Sequence, residues 1–358
     1  AMGGLSKLIG DNENVLIKPN CVTSEVYPTT SDVNSLVSTI EQLQAVTSGT
    51  ITVGDAGWQN SAIVYQYLDY DGIIPPTGAE LILFSDTYNV RRESWEPERP
   101  DFMVYSDIYD SPVIIDHCCL KRHFRSGLTC GLKHHVGSVS GSYGSDTREY
   151  FHTFPAYSDT FMQLIAEFAG LVNSELTIVD ARSILAVNGP ARSHGGEERE
   201  INRLVISGDK LAAEVYSSQL MAQYDETYNP DLVIPIHEHA ATLGLGTLNL
   251  NDVEVIEISA TFVDDNQSTI PDGFELRQNY PNPFNARTSI SFDIPHKSDI
   301  EVSIYNSLGQ KLATLHNGRI EAGKHSLSWD AGRFSSGVYF AKLHIGNRIL
   351  SRKMTLLK

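Results

Sequence analysis

The hydrophobic period of this chain changes once, and that change constrains its architecture more than any single motif does. Up to about residue 260, short apolar runs alternate with segments whose apolar residues recur at helical spacing. The run from Asn14 to Lys18 reads as a buried strand. Ser31 to Val46 then places Val33, Leu36, Val37, Ile40, Leu43 and Val46 at helical spacing, with Ser31 or Asp32 as N-cap. Thr50–Val53, Leu81–Phe84, Phe102–Tyr105, Val113–Ile115, Leu176–Val179, Leu204–Ile206 and Val253–Ile258 read as further strands. Asn60–Leu68, Asp159–Val172, Asp209–Ala222 and Leu232–Leu243 read as helices. The alternation predicts an α/β domain, a mostly parallel sheet with helices on both faces.

Beyond the polar, proline-closed stretch Asp264–Asp272 the period becomes two. Strands are expected at Thr288–Ile294, Ile300–Tyr305, Gln310–Leu315, His325–Trp329, Gly337–His344 and Arg348–Leu356. They predict a small antiparallel β-sandwich, immunoglobulin-like in architecture. The expected domains are 1–263 (α/β), 264–272 (linker) and 273–358 (sandwich).

Charge follows the same division. Of a formal net charge of −17, residues 271–358 carry 12 Lys and Arg against 7 Asp and Glu, a net +5, and the rest carries −22. A polyanion is repelled by the larger part, which argues against a nucleic-acid partner. No apolar run approaches the roughly 20 residues that a membrane helix needs. The first 20 residues lack a charged region followed by an apolar core, so any secretion signal is expected to have been removed.

Within the acidic part, Asp116–His152 is cationic and punctuated by glycine. It holds Lys121, Arg122, Arg125, Lys133 and Arg148 with five histidines, and after Asp116 only two carboxylates. In doubly wound sheets ligands sit beyond the carboxyl ends of the strands. Lys18-Pro19-Asn20, Gly54-Asp55 and the segment after Asp116 all follow strand ends, so they are expected to share one crevice. Lys18, Lys121, Lys133 and Arg148 would hold an anion there, the arginine as a two-pronged donor. Asn20, Thr129 and Gly131 would complete the ligand contacts. One lysine among cationic neighbours is expected to have a lowered pKa. Lys18, Lys133, Asp55, Asp180 and His152 are the catalytic candidates. Asp55, Asp116 and Asp180 would also suit a divalent cation between protein and ligand. For each aspartate alone a turn or N-cap role is equally good, and the bland reading of the cations is surface ion pairing.

Other chemistries find little support. Cys21, Cys118, Cys119 and Cys130 form no C-x-x-C pair, so no iron–sulfur or zinc motif is present; a disulfide from Cys130 to a neighbour stays open. A site drawn from His117, Cys118, His123 and Cys21 is a minor alternative. Gly137–Gly141 lacks the central serine of a nucleophile elbow, and Gly244-Leu245-Gly246 is too short for a dinucleotide loop.

Two resemblances follow. Gln278-Asn279-Tyr280-Pro281-Asn282-Pro283-Phe284-Asn285, Val302–Asn306, Gly309-Gln310, Ser336–Phe340 and the Lys353–Lys358 tail resemble the type A sorting domain of the type IX secretion system. That resemblance implies passage through the type IX machinery to the outer cell surface or the extracellular space. Ile17–Asn20, Gly54–Ala56, Leu120-Lys121, Gly127–Lys133, Arg148 with His152, Val179-Asp180, Gly189-Pro190 and Ser207–Ala212 resemble the domain-of-unknown-function 362 family. The family commonly has Asn where this chain has His134, begins with a further strand that is missing or truncated here, and has members with ferredoxin-like cysteine clusters. The resemblance implies a fold and site positions but no substrate.

Two function classes follow. One is an exported protein or enzyme acting on a small phosphate- or carboxylate-bearing molecule. The other is an extracellular assembly protein on a former enzyme scaffold, in which acidic and basic parts of successive copies would pack as a homo-oligomer.

Overall fold

The computed structural model describes residues 4–57, 59–84, 89–92, 99–140, 147–256, 274–346 and 348–357. The chain divides into two compact units, 1–256 and 257–358. The expected linker at 264–272 lies outside the described residues, as do the last two residues of the strand expected at Val253–Ile258. Residues 253–256 form no strand, a correction: the stretch follows a short 3-10 turn and pairs with no strand among the described residues.

The first unit begins with β1 (Val15–Pro19), α1 (Val33–Gln44), β2 (Ile51–Asp55), α2 (Ser61–Tyr67), α3 (Tyr70–Ile73) and β3 (Glu80–Leu83). β4 (Asn89–Arg92), β5 (Phe102–Tyr105) and α4 (Ser106–Tyr109) precede β6 (Val113–His123) and β7 (Gly127–Thr129). Next come α5 (Gly131–His134), α6 (Thr147–Thr153), α7 (Asp159–Gly170), β8 (Leu176–Ala186), β9 (Glu197–Ser207), α8 (Lys210–Tyr224) and α9 (Ile234–Thr242). The caps are those a sequence reading finds: Asp32, Asn60 and Asp209 each accept a backbone N–H of the first turn. The expected helix over Leu232–Leu243 starts instead as a 3-10 turn at Pro230–Val233.

The main sheet runs in the order β3-β2-β1-β6-β8-β9, with β7 folded back on β6. The pairs β1/β2, β1/β6, β2/β3 and β6/β8 are parallel, while β9 is antiparallel to β8. The antiparallel edge has a simple cause: only a short connection joins β8 to β9, and a parallel return requires a crossover helix. The strand at Phe102–Tyr105 pairs with β4 in a separate two-stranded ribbon.

Alternate residues of each strand face opposite sides, and both sides are covered. Val15, Ile17, Val113 and Ile115 join Val33, Leu36, Ile40, Leu43 and Tyr70 in one core. Leu16, Ile114, Cys118 and Leu120 join Phe161, Leu164, Phe168, Leu211 and Ile236 in the other. The chain proceeds from β1 through β2 to β3 on one side and resumes with β6 and β8 on the other. The crevice between β1 and β6 is therefore the topological switch point, where doubly wound sheets hold ligands.

The second unit contains β10 (Glu275–Leu276), β11 (Arg287–Ile294), β12 (Ser298–Asn306), β13 (Lys311–Ile320), β14 (Gly323–Asp330), β15 (Gly337–Ile345) and β16 (Arg348–Leu356). Sheets β10-β11-β14 and β13-β12-β15-β16 are both antiparallel. Ile290 and Phe292 from one sheet pack with Val302, Ile304, Leu343 and Met354 from the other around Trp329. Intervening residues such as Ser289 and Ser291 face outward, the period-two pattern of a sandwich.

Leu36 is fully buried in α1 and Ser38 is exposed on the same helix. Leu36→Ala should cost about 2–5 kcal/mol, and Ser38→Ala should stay within about 0.5 kcal/mol. Urea denaturation followed by circular dichroism checks both values.

Candidate functional site

Lys18 is the last residue but one of β1, and its side chain is fully buried. An unpaired ammonium there would be untenable. It is paired: Lys18 Nζ donates to Asp55 Oδ1 at the end of neighbouring β2, at 2.6 Å. Asp55 Oδ2 accepts the Cys21 backbone N–H at 2.7 Å, fastening the chain that leaves β1. Gly137 closes over the pair. A Cβ built there would stand 2.7 Å from Asp55 Oδ1 and 2.9 Å from Lys18 Nζ, so only glycine fits without displacing them. His134 bonds the Lys18 carbonyl through Nε2 at 3.0 Å, which gives the histidine at this position a local structural partner.

β6 runs past the end of β1, and its odd-numbered residues continue toward α1. His117 Nε2 lies 2.9 Å from Ser35 Oγ, and Cys119 lies against Ser31. Next in that row is Lys121, also fully buried. Its Nζ donates to Asn20 Oδ1 at 2.7 Å and to the Thr29 carbonyl. Burial lowers its pKa to about 8, against the pull of neighbouring acidic groups such as Asp55. Asn20, expected to touch ligand, holds Lys121 instead. Thr129 stands directly opposite Lys121 in the β6–β7 pairing, so both side chains leave the same face of the hairpin. The Thr129 hydroxyl is buried and has no hydrogen-bond partner among the described residues.

Lys133, on the short helix α5, differs from both other lysines. Among the described residues it has no carboxylate or hydrogen-bond acceptor; its ammonium lies 5.9 Å from the centre of the Phe151 ring. Burial first, then the charges of Lys121, Arg148 and Arg125, lowers its pKa to about 7. His152 and His123 belong to the same electrostatic group. Burial, reinforced by Lys133 and Arg125, lowers His152 to about 4 although its Nδ1 sits 2.7 Å from the Arg148 carbonyl. Burial with the Lys133, Lys121 and Arg125 charges holds His123 far below the ordinary imidazole range.

Several expected roles require correction. Arg148 contributes charge but no free fork: its terminal nitrogens donate to the carbonyls of Gly57, Ala56 and Val139 at 2.9–3.1 Å. Asp180 is taken up structurally. Arg182 donates to both its oxygens at 3.0 and 2.6 Å, and the Tyr27 hydroxyl donates at 2.7 Å. Burial works to raise the Asp180 pKa, but these donors outweigh it and hold the carboxyl low. Gly131 faces the core, where an added Cβ would meet Thr177 at 3.2 Å and Glu214 at 3.5 Å. Asp116 is taken up by a histidine, with its Oδ2 3.1 Å from His135 Nε2.

Asp55, Asp116 and Asp180 therefore do not converge on a cation. No group of three His, Cys, Asp or Glu side chains among the described residues is arranged to hold a metal ion. The alternative drawn from His117, Cys118, His123 and Cys21 fails because adjacent strand residues 117 and 118 face opposite sides. All four cysteines are buried free thiols, so the open disulfide at Cys130 is not formed.

Sequence reading missed Glu214, which accepts the Leu132 N–H at 2.9 Å and braces α5 from α8. It also missed Tyr27 and Arg182. The signal for Arg182 was present, since residues two apart on a strand share a face with Asp180. A surface cavity of about 180 Å³ lies at the opposite, amino ends of β1–β3, against Val15, Thr52, Glu80 and Asp107. It is lined by no cation, so an anion has no counter-charge there.

These features define an α/β unit with a cationic cluster at its switch point and a β-sandwich bearing a sorting motif. The chain belongs to the family described as Domain of unknown function (DUF362), matched over residues 15–219. Residues 278–356 match the secretion system C-terminal sorting domain, which marks proteins exported by type IX secretion to the cell surface or extracellular space. Over 233 residues the chain is 24% identical to the thylakoid-associated protein sll1697 of Synechocystis, covering 62% of this chain and 66% of that protein. The match thus spans just under two thirds of that relative's length. Among solved structures it is similar to PorZ, a surface component of the type-IX secretion system of Porphyromonas gingivalis. There the identity is 19% and the TM-score 0.18, over 25% of this chain and 12% of that one. It is also similar to the lactate racemase apoprotein of Thermoanaerobacterium thermosaccharolyticum, at 9% identity and TM-score 0.41 over 60% and 50% of the two chains.

Removing one partner of a buried ion pair strands the other charge. Lys18→Met should therefore lose about 3–5 kcal/mol of stability, and adding Asp55→Asn should restore much of the loss. Chemical denaturation of the two variants decides this, and a loss below about 1 kcal/mol for the single variant contradicts the pairing.

Proposed function

We propose that this exported protein binds a small carboxylate- or phosphate-bearing molecule at the β1/β6 switch point, with Lys133 as the principal counter-charge. The observation that carries the reading is the isolation of Lys133. Lys18 is neutralised by Asp55, and Lys121 is solvated by Asn20 Oδ1 and the Thr29 carbonyl. Lys133 has neither kind of partner among the described residues and faces three other cations. An anion would relieve that repulsion and supply the missing acceptor. Lys121 retains a third N–H beyond its two recorded bonds, and the Thr129 hydroxyl beside it is unpartnered, so both suit a ligand oxygen.

The other candidates take supporting roles. Asp55 pairs with Lys18, Arg148 ties α6 to the loop after β2, and Asp180 fastens β8 to Tyr27. Burial and the neighbouring cations hold His152 and His123 neutral near pH 7, so neither adds a charge to the site. A ligand-free crevice in an assembled homo-oligomer is the outcome that would support the assembly class instead.

The pH dependence has a definite sign. A lysine lowered to about 7 when folded and near 10.4 when unfolded destabilises the fold fully below about pH 7. That cost is relieved as pH rises toward about 10.4. A bound anion favours the ammonium, so it raises the folded pKa and cancels the cost. Sulfate, whose charge does not change near neutrality, should bind about tenfold more weakly per pH unit above 7, taking up nearly one proton at pH 8. Calorimetry in buffers of different ionisation enthalpy reads the uptake. Lys133→Met should abolish both effects, and pH-independent sulfate binding would remove Lys133 from the site.

A further inference from the structure

We propose that Lys133 is also a covalent nucleophile, whose Nζ forms an imine with the carbonyl carbon of a small 2-oxo acid. This rests on the anion-site reading above and specifies what that anion carries. The three lysines show the contrast. A lysine required only as a charge is given acceptors, as Lys18 receives from Asp55 and Lys121 from Asn20 and Thr29. Lys133 is given no acceptor among the described residues, a largely buried position and cationic neighbours, surroundings that favour the amine and its lone pair. Lys121 and Arg125 act on that same nitrogen, so the ligand's anionic group must lie close to the atom that Lys133 attacks. A carbonyl adjacent to a carboxylate meets this requirement.

The two histidines are set in opposite tautomers by their partners. His123 Nδ1 accepts the Arg125 backbone N–H at 3.1 Å, which leaves the proton of the neutral ring on Nε2. His152 Nδ1 donates to the Arg148 carbonyl, which places the proton of the neutral ring on Nδ1.

The step balances without an oxidant or a reductant. The Nζ lone pair forms a C–N bond as the carbonyl π bond opens, and one Nζ proton passes to oxygen. The C–O bond then breaks, and the second Nζ proton leaves with that oxygen as water, giving a neutral imine. Uptake of one further proton gives the iminium, whose charge the substrate carboxylate offsets. Inert sulfate draws a proton onto Lys133, whereas a 2-oxo acid captures the amine form that coexists with it near pH 7.

The test incubates the full chain with pyruvate and sodium cyanoborohydride at pH 7 and maps the reduced adduct by peptide mass spectrometry. Lys133 should be modified at least about tenfold faster than an exposed lysine such as Lys311, whose pKa is raised by its hydrogen bond to Glu301 and leaves little amine at that pH. Sulfate should suppress the adduct, and acetone, which lacks the carboxylate, should give none at Lys133. Modification spread over surface lysines, or absent from Lys133, overturns the covalent role. Sulfate titration of the same unmodified sample then separates the two readings: binding retained leaves the anion site standing, and binding lost removes both. No variant is required, so a folding defect cannot obscure the result.

Discussion

The buried ion pair between Lys18 and Asp55 is the constraint on which the switch-point crevice depends. Two parallel strands end side by side with opposite charges, and burial removes the water that would otherwise satisfy them. The pair holds only because its geometry is closed on every side. Asp55 takes a backbone N–H from Cys21, His134 reaches the Lys18 carbonyl, and Gly137 covers both charges without a side chain. The same contacts fix the segment after β1 and the turn after α5. The crevice walls are therefore set by one electrostatic requirement.

With those charges satisfied, the cluster between β6, α5 and α6 is left electropositive inside a strongly acidic unit. Lys121, Arg125 and Arg148 are each tied to backbone or amide oxygens, which hold the charges in place without cancelling them. Fixed charges in a low-dielectric recess act more strongly than the same charges on a wet surface. The cysteines belong to a different part of the design. All four thiols are buried, and burial raises Cys21 and Cys130, with Cys119 pushed up to about 12; Cys118 is raised chiefly by its contact with Cys130. Such thiols pack as small apolar groups and resist reaction.

Much of this was legible in the amino-acid order. The alternation up to residue 260 gave the strands and helices, and Asp32, Asn60 and Asp209 announced three helix starts. Period two after residue 286 gave the sandwich strands, because a strand half-buried on one face must alternate. The suspicion attached to Lys18, Lys121 and Lys133 came from charge lying against hydrophobic surroundings. Less legible were the partners. Nothing local in Arg148 says that its guanidinium meets three carbonyls, and Asp180 looks like a free strand-end carboxylate until Arg182 and Tyr27 are placed around it. Residues 253–256 of the strand expected at Val253–Ile258 form none, because a suitable local pattern does not by itself supply a neighbouring edge to pair with.

By itself, then, the order of residues determined the fold class, the positions of the strand ends and the address carried by the C-terminal motif. Each of these is written in short-range periodicity or in contiguous residues. Tertiary structure alone decided which charges are silent and which are active. Lys18 and Asp55 are 37 positions apart, and Lys121 and Asn20 are 101 apart. Cancellation of charge falls steeply with distance in space and is indifferent to distance along the chain. Only folding could show that two of three similar lysines are already satisfied and that Lys133 is not.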